Sequence, residues 1–121
     1  MEPLSLVIYN NDPGTAQALA VNLSQYFGPV TLAKKYEDVG PTVARHRADV
    51  LVLDLETSRS DEVGRLHQEF PSLSIVATHR LADDDLWTEA MNQGAADVCE
   101  PRNDDVLRSV LRGRARRAAA A

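Results

Sequence analysis

Five apolar runs along the chain have the composition of β-strands. Four of them are rich in branched aliphatic residues, and a weaker fifth run ends just before Pro101, which cannot donate a hydrogen bond to a neighbouring strand. The runs cover residues 4–9, 30–33, 50–55, 73–77 and 96–99. The third run is continuously hydrophobic over residues 50–53, as a strand covered on both faces must be. This pattern predicts a parallel sheet that is buried between two layers.

The segments between these runs have the apolar spacing of helices. Asp12 followed by Pro13 is typical of a helix start, and Gly28 is expected to end this first helix. Further helices are predicted over residues 41–46, 61–70 and 83–93. Asn103 or Asp104 is expected to cap the last helix. Because strands and helices alternate five times, we expect a doubly wound, flavodoxin-like α/β fold with five parallel strands and helices on both faces.

The composition is that of an ordinary globular domain. Hydrophobic residues make up 44% of the 121 residues and charged residues 26%, which excludes the low-hydrophobicity pattern of disorder. No apolar run approaches the roughly 20 residues that cross a bilayer, and the first residues lack a signal sequence, so we expect a cytoplasmic protein without a membrane partner. Cys99 is the only cysteine, and we expect it to be a small core residue.

Charge is distributed unevenly along the chain. The formal net charge is −5, and five arginines with no acid in residues 107–121 leave −10 for residues 1–106. An acidic body repels nucleic acid, so we expect no direct nucleic-acid binding. We divide the chain into a domain over residues 1–112 and an Arg- and Ala-rich tail over residues 113–121. The tail is either a helix end or the start of a linker.

Candidate functional residues follow the predicted strands, at the carboxyl edge where open parallel sheets bind their ligands. They are the polar residues and the proline after the first, third, fourth and fifth strands: Asn10, Asn11, Asp12, Asp54, Thr78, Glu100 and Pro101. No glycine-rich phosphate loop follows the first strand, and no nucleophile stands beside a base. A small α/β enzyme or nucleotide-binding domain is therefore a remote alternative, and we do not expect an enzyme.

The order and spacing of three segments resemble the receiver domain of bacterial two-component response regulators, over residues 4–112. The segments read LVIYNNDP, ADVLVLDL and QGAADVCEP. In receiver domains an aspartate at the end of the third strand accepts a phosphoryl group from a histidine kinase, and two acids after the first strand hold Mg²⁺. A Thr or Ser and a Lys contact the phosphoryl oxygens. The resemblance implies that Asp54 is the phosphoacceptor and Thr78 the switch hydroxyl, while Pro101 matches the proline after the lysine.

Two departures from the family pattern weaken this chemistry. Asn10 and Asn11 stand where the family has its acid pair, and Glu100 stands where it has its lysine. Because Mg²⁺ prefers charged oxygen ligands, the two amides should weaken a magnesium site. The glutamate inverts the charge that would face a phosphoryl group. We therefore expect no resident cofactor, Mg²⁺ binding weaker than millimolar, and inefficient phosphorylation of Asp54.

Two further departures concern the fifth strand and the segment after the acceptor. Asp97 and Val98 occupy the positions near the end of the fifth strand where the family has an aromatic switch residue. Thr57 and Ser58 replace the Met-Pro that follows the family's acceptor. Both changes set this chain apart from a typical receiver domain.

Simpler roles stay open for the matched residues. Asn10 and Asn11 are suited to turns, because asparagine adopts turn conformations readily. Thr78 is either the switch hydroxyl or an ordinary loop hydroxyl. Asp54 is either an acceptor in use or a strand-end acid that caps a loop amide.

The acids of this edge allow one more alternative, a weak cation site formed by Asp12, Asp54 and Glu56. If these acids converge together with Glu100, their repulsion should raise the pKa of at least one of them. Neutralising Asp54 should then keep or slightly raise the stability of the fold. Arg102 is the nearest candidate counter-charge in the sequence.

The leading hypothesis is a pseudo-receiver that works through protein contacts. The family implies a contact surface made of the fourth helix, the fifth strand and the fifth helix, which supports either a homodimer or the binding of another protein, including a histidine kinase. Trp87, in the predicted fourth helix, is either an anchor of this surface or a core residue. The competing hypothesis is an ordinary receiver domain that is phosphorylated on Asp54.

Overall fold

The computed structural model describes residues 4–56 and 60–120, in which strands and helices alternate. The strands are β1 (Leu6–Tyr9), β2 (Val30–Leu32), β3 (Val50–Asp54), β4 (Ser74–Thr78) and β5 (Asp97–Cys99). The helices are α1 (Pro13–Leu23), α2 (Val39–His46), α3 (Ser60–Glu69), α4 (Asp84–Gln93) and α5 (Asn103–Ala120), with a 3-10 turn over Tyr36–Asp38 before α2. Each strand lies within two residues of the apolar run that predicts it.

All five strands are parallel and form one sheet in the order β2-β1-β3-β4-β5. The chain leaves β1 and β3, which are neighbours, toward opposite faces, because α1 packs on one face of the sheet and α3 on the other. Such a divergence opens a crevice at the carboxyl ends of the two strands. The doubly wound parallel sheet expected from the sequence is confirmed.

The core has two layers, one on each face of the sheet. Along β3, Leu51 and Leu53 belong to the layer that contains α2, α3 and α4, whereas Val50 and Val52 belong to the layer of α1 and α5. All four side chains are buried. Burial of one such side chain stabilises a fold by roughly 1.5–3 kcal/mol. The continuous hydrophobic run is therefore what a strand between two helical layers requires.

Helix α1 begins where the sequence predicts and ends earlier. Asp12 caps its start. The helix ends at Leu23 rather than near Gly28, because its last turn tightens: the N–H groups of Gln25 and Tyr26 each bond to a carbonyl three residues back. Gly28 is therefore not the residue that ends the helix.

The other helix boundaries differ from prediction mainly at α2 and α5. Helix α2 begins two residues before Pro41, which lies in the first turn, where a missing N–H breaks no helical hydrogen bond. Neither Asn103 nor Asp104 caps α5, because the helix already begins at Asn103. The Val106 N–H bonds to the Arg102 carbonyl at 2.9 Å, which places the cap at Arg102. Helices α3 and α4 end within one residue of the predicted bounds.

Helix α5 continues without a break through residue 112, which the sequence predicts to be the end of the domain. Gly113 is buried, and a Cβ atom there would lie 2.9 Å from the Cβ of Ala96. The helix therefore still packs closely against the sheet at Gly113, and the division at residue 112 stays a prediction. Within the described residues no helix, α5 included, is long and apolar enough to cross a membrane.

Candidate functional site

A pocket of about 260 Å³ opens at the carboxyl edge of the sheet, in the crevice between β1 and β3. Most of its lining comes from the segments that follow β1, β3, β4 and β5. The lining residues are Asn10, Asn11, Asp12, Thr15, Asp54, Glu56, Arg80 and Pro101. The structure thus brings together most of the strand-end residues singled out in the sequence, and it adds Thr15 and Arg80.

Asp54 lies at the base of this pocket, as the last residue of β3. Its side chain is 1% exposed. One carboxylate oxygen, Oδ2, accepts the N–H of Asn11 at 3.2 Å, and the other, Oδ1, accepts the N–H of Glu56 at 2.9 Å. Hydrogen bonds from backbone N–H groups stabilise a charged carboxylate in a buried position. Asp54 therefore joins the start of the β1–α1 segment to the residue two positions after β3.

The side chains after β1 are engaged in local bonds. Asn10 Oδ1 accepts the N–H of Asp12 at 2.8 Å, which closes a turn. Asp12 Oδ2 accepts both the N–H of Thr15 at 3.2 Å and its hydroxyl at 2.6 Å. The bond from the Thr15 hydroxyl lowers the pKa of Asp12 below its ordinary value. Asp12 is thus the N-cap of α1, and its carboxylate is stabilised in the charged form.

Glu56 and Arg80 form the main ion pair of the pocket. Glu56 Oε1 accepts the backbone N–H of Arg80 at 2.8 Å, and Oε2 lies 3.1 Å from Arg80 Nε and 3.0 Å from Nη2. The bond from the Arg80 side chain lowers the pKa of Glu56 below its ordinary value. The pKa of Arg80 is raised, first by Glu56 and to a lesser extent by the charge of Asp54. Arg80 is therefore the counter-charge of this pocket.

The expected convergence of four acids does not occur. Glu100 does not line the pocket, because its carboxylate pairs with Arg102 Nη2 at 2.6 Å. Arg102 also bonds to Asp105 through Nε at 3.2 Å, so it is held at the start of α5. The condition for a raised pKa, convergence of all four acids, is therefore not met, and the pKa values of Asp12 and Glu56 are lowered by their hydrogen bonds. The role of counter-charge that we assign to Arg102 from the sequence belongs to Arg80.

Thr78 lies next to Asp54 in the sheet register, at the end of β4. It has no exposed surface, and its carbonyl accepts the N–H of Leu55 at 2.8 Å. Its hydroxyl oxygen is buried and has no hydrogen-bond partner among the described residues. The position is compatible with a switch hydroxyl, an assignment that stays a prediction.

The remaining departures from the family pattern have different surroundings. Asp97 is fully buried in β5, and its Oδ2 lies 3.1 Å from Arg112 Nη1 on α5. Val98 belongs to the core layer of α2, α3 and α4. Thr57 and Ser58 lie outside the described residues.

The acids of the pocket already accept protein hydrogen bonds, which would compete with Mg²⁺ for their oxygens. An octahedral magnesium site needs free oxygen donors at about 2.0–2.1 Å from the ion. Asp12 caps α1, Glu56 binds Arg80, and both oxygens of Asp54 accept backbone N–H groups. In residues 4–56 and 60–120, no group of three or more acidic, His or Cys side chains is arranged to hold a metal ion.

Helices α4 and α5 each carry an exposed apolar residue. Trp87 on α4 is 41% exposed, so it lies at the surface and the alternative of a core residue is wrong. Leu111 on α5 is also exposed. Cys99 at the end of β5 is only partly buried, and it packs against the layer of α1 and α5.

Several solved structures resemble this fold at low sequence identity. A response regulator from Thermotoga maritima has a TM-score of 0.80 at 21% identity, and the match covers 93% of this chain and 98% of that one. The signal receiver domain of a DNA-binding response regulator (merR) from Colwellia psychrerythraea 34H has a TM-score of 0.78 at 19% identity, with coverage of 98% and 99%. The CheX-CheY-BeF3-Mg²⁺ complex from Borrelia burgdorferi gives 0.79 at 16%, with coverage of 91% and 88%.

Sequence comparison finds no matching family model and no similar curated protein. The fold evidence is therefore structural: the strand order, the crevice between β1 and β3, and the near-complete superposition on receiver domains. The chain therefore has the fold of response-regulator receiver domains.

Proposed function

We propose that the chain is a cytoplasmic signalling module of the response-regulator class that works through protein contacts, without Mg²⁺-dependent phosphorylation of Asp54. The observation that supports this most directly is the use of the pocket acids. Asp12, Asp54 and Glu56 each accept hydrogen bonds from protein N–H or O–H donors, so a cation would have to compete with these donors for the carboxylate oxygens.

The charges around Asp54 also oppose its phosphorylation. A phosphoryl group on Asp54 would bring negative charge beside Glu56, whose lowered pKa keeps it ionised at neutral pH. Arg80 is the positive group of the pocket lining, and its guanidinium already binds Glu56. Transfer of a phosphoryl group to Asp54 would therefore need a cation that offsets this repulsion.

The proposed contact surface is the face of α4, β5 and α5. Its exposed tryptophan, Trp87, is of the residue type that most often anchors protein interfaces. The Borrelia burgdorferi neighbour is a complex of CheY with CheX, so a protein of this fold does assemble with another protein. We propose a homodimer, another protein or a histidine kinase as the partner of this surface.

A second candidate function is an ordinary phosphoacceptor receiver. It is favoured by one specific arrangement: the buried Asp54 pairs in the sheet register with Thr78, whose buried hydroxyl has no hydrogen-bond partner among the described residues. In this reading Arg80 leaves Glu56 and turns to the phosphoryl group.

Phosphorylation separates the two candidates. The protein and its Asp54→Asn variant are incubated with acetyl phosphate and excess Mg²⁺, and intact mass is measured over time. We expect little modification of either protein. A mass increase by one phosphoryl group in the wild type, lost in Asp54→Asn, would establish the phosphoacceptor and refute the proposed function.

The contact surface is tested separately with Trp87→Ala. We expect the variant to keep its melting temperature and to lose self-association or partner binding, as measured by sedimentation and titration. Tyr26→Ala is the matched control, because Tyr26 is an exposed aromatic residue outside this face. Equal binding by both variants would refute the surface.

A further inference from the structure

One carboxylate ties together two segments at the carboxyl edge of the sheet. Glu56 follows β3, and Arg80 follows β4 in the β4–α4 loop, residues 79–83. Glu56 accepts two N–H groups from this one residue, the backbone N–H and the Nε–H, and its Oε2 lies 3.0 Å from Arg80 Nη2. The side chain of Glu56 is only 22% exposed, whereas that of Arg80 is 80% exposed. The Arg80 side chain is therefore the more exposed side of the contact.

The β4–α4 loop passes this restraint on to α4 through short local bonds. The Leu81 N–H bonds to His79 Nδ1 at 2.9 Å, and the Asp83 N–H bonds to the Leu81 carbonyl at 2.8 Å. Asp83 then caps α4, and its carbonyl accepts the N–H of Trp87 at 2.9 Å. Because Glu56 binds Arg80, it therefore limits the movement of the loop and of the first turn of α4.

We propose that Glu56 is a positioning residue that fixes the β4–α4 loop and the first turn of α4 without any group attached to Asp54. The inference rests on the proposed function in one respect: α4 carries Trp87, which belongs to the proposed contact surface. The carboxylate of Glu56 supplies the negative charge that binds Arg80 and so restrains the loop. The carboxylate of Glu56 thus holds the α4 part of the contact surface in one conformation, with no phosphoryl group on Asp54.

The surroundings of Glu56 suit this role at neutral pH. Hydrogen bonding by Arg80 holds the pKa of Glu56 below its ordinary value, so the carboxylate stays charged. His79 Nδ1 lies 3.5 Å from Glu56 Oε1, so the start of the loop is also close to this carboxylate. The charge of Asp54 also contributes, less than Glu56, to raising the pKa of Arg80.

Amide hydrogen exchange tests the proposal directly. In Glu56→Ala, which removes every acceptor, we expect amides 79–87 to exchange at least about threefold faster than in the wild type, with other regions unchanged. Glu56→Gln keeps an acceptor for the Arg80 N–H, so its increase should be smaller. Glu69→Ala is the matched control, because Glu69 makes an exposed ion pair with Arg65 on α3.

A second readout comes from Trp87, the only tryptophan of the chain. Acrylamide quenching of its fluorescence should increase in Glu56→Ala and stay unchanged in Glu69→Ala. Exchange over residues 79–87 that is the same in Glu56→Ala and the wild type would overturn the positioning role, whatever acetyl phosphate does to Asp54. Conversely, phosphorylation of wild-type Asp54 would refute the proposed function and leave the exchange result standing.

Discussion

Asp97 on β5 and Arg112 on α5 form an ion pair in which the carboxylate is fully buried and the guanidinium is 54% exposed. The Oδ2 and Nη1 atoms lie 3.1 Å apart. Asp97 and its neighbour Val98 stand where the resemblance to receiver domains implies an aromatic switch side chain. A buried carboxylate needs compensation, because its transfer from water is costly. The pair therefore joins the edge strand to the second half of α5.

Replacing Arg112 should weaken the fold more than replacing a surface arginine. In Arg112→Ala the buried carboxylate of Asp97 loses one of its compensating groups, and we expect a loss of about 1–3 kcal/mol in the free energy of unfolding. Urea denaturation measures this loss. Arg108→Ala is the control, because Arg108 is an exposed residue of the same helix whose bond to Asp105 should contribute no more than about 1 kcal/mol. Equal losses in both variants would contradict the prediction.

The close approach of α5 to the sheet predicts a cost for a single methyl group at Gly113. A Cβ atom there would lie 2.9 Å from the Cβ of Ala96, so Gly113→Ala should lower the free energy of unfolding by about 1–3 kcal/mol. This loss is expected although alanine is the better helix former. Gly14→Ala is the control, since only side-chain oxygens at 3.8 and 3.9 Å lie near its Cβ position. If Gly113→Ala is neutral, the domain ends before residue 113, as the sequence suggests.

The thiol of Cys99 should react slowly in the folded protein. Burial raises the pKa of Cys99 to about 11, and only the thiolate is a good nucleophile. At pH 8 alkylation by iodoacetamide should be at least about a hundredfold slower in the folded than in the urea-unfolded chain, whose thiol has a pKa of about 8.5. The folded-state rate should rise with pH up to about 11. Similar rates in both states at pH 8 would show that the thiol is not shielded.

The sequence predicts the backbone positions of the site residues better than it predicts the pairing of the charged side chains. The juxtaposition of Asp54 and Thr78 follows from parallel strands whose carboxyl ends meet at one edge, so strand positions alone predict it. Arg80 lies in a loop, and no periodicity or matched motif indicates that its side chain turns back to the pocket. Glu100 was expected in the pocket and lies outside it, because an arginine two positions along, Arg102, offers a nearer partner. Short-range pairing of this kind depends on side-chain conformation, which strand and helix patterns do not determine.

Asp54 offers the sharpest contrast between sequence and structure. From the sequence we expect Asp54→Asn to keep or raise stability, by relief of repulsion; the structure predicts the reverse. Both carboxylate oxygens accept backbone N–H groups, from Asn11 and Glu56, and an amide NH₂ would face one of these donors in a buried site. We expect Asp54→Asn to lower the free energy of unfolding by about 1–2 kcal/mol in urea denaturation. Asp12→Asn is the matched control in the same pocket: asparagine caps helices as well as aspartate does, so its stability should not fall. If both variants are more stable than the wild type, repulsion among the acids dominates and the hydrogen-bond argument is wrong.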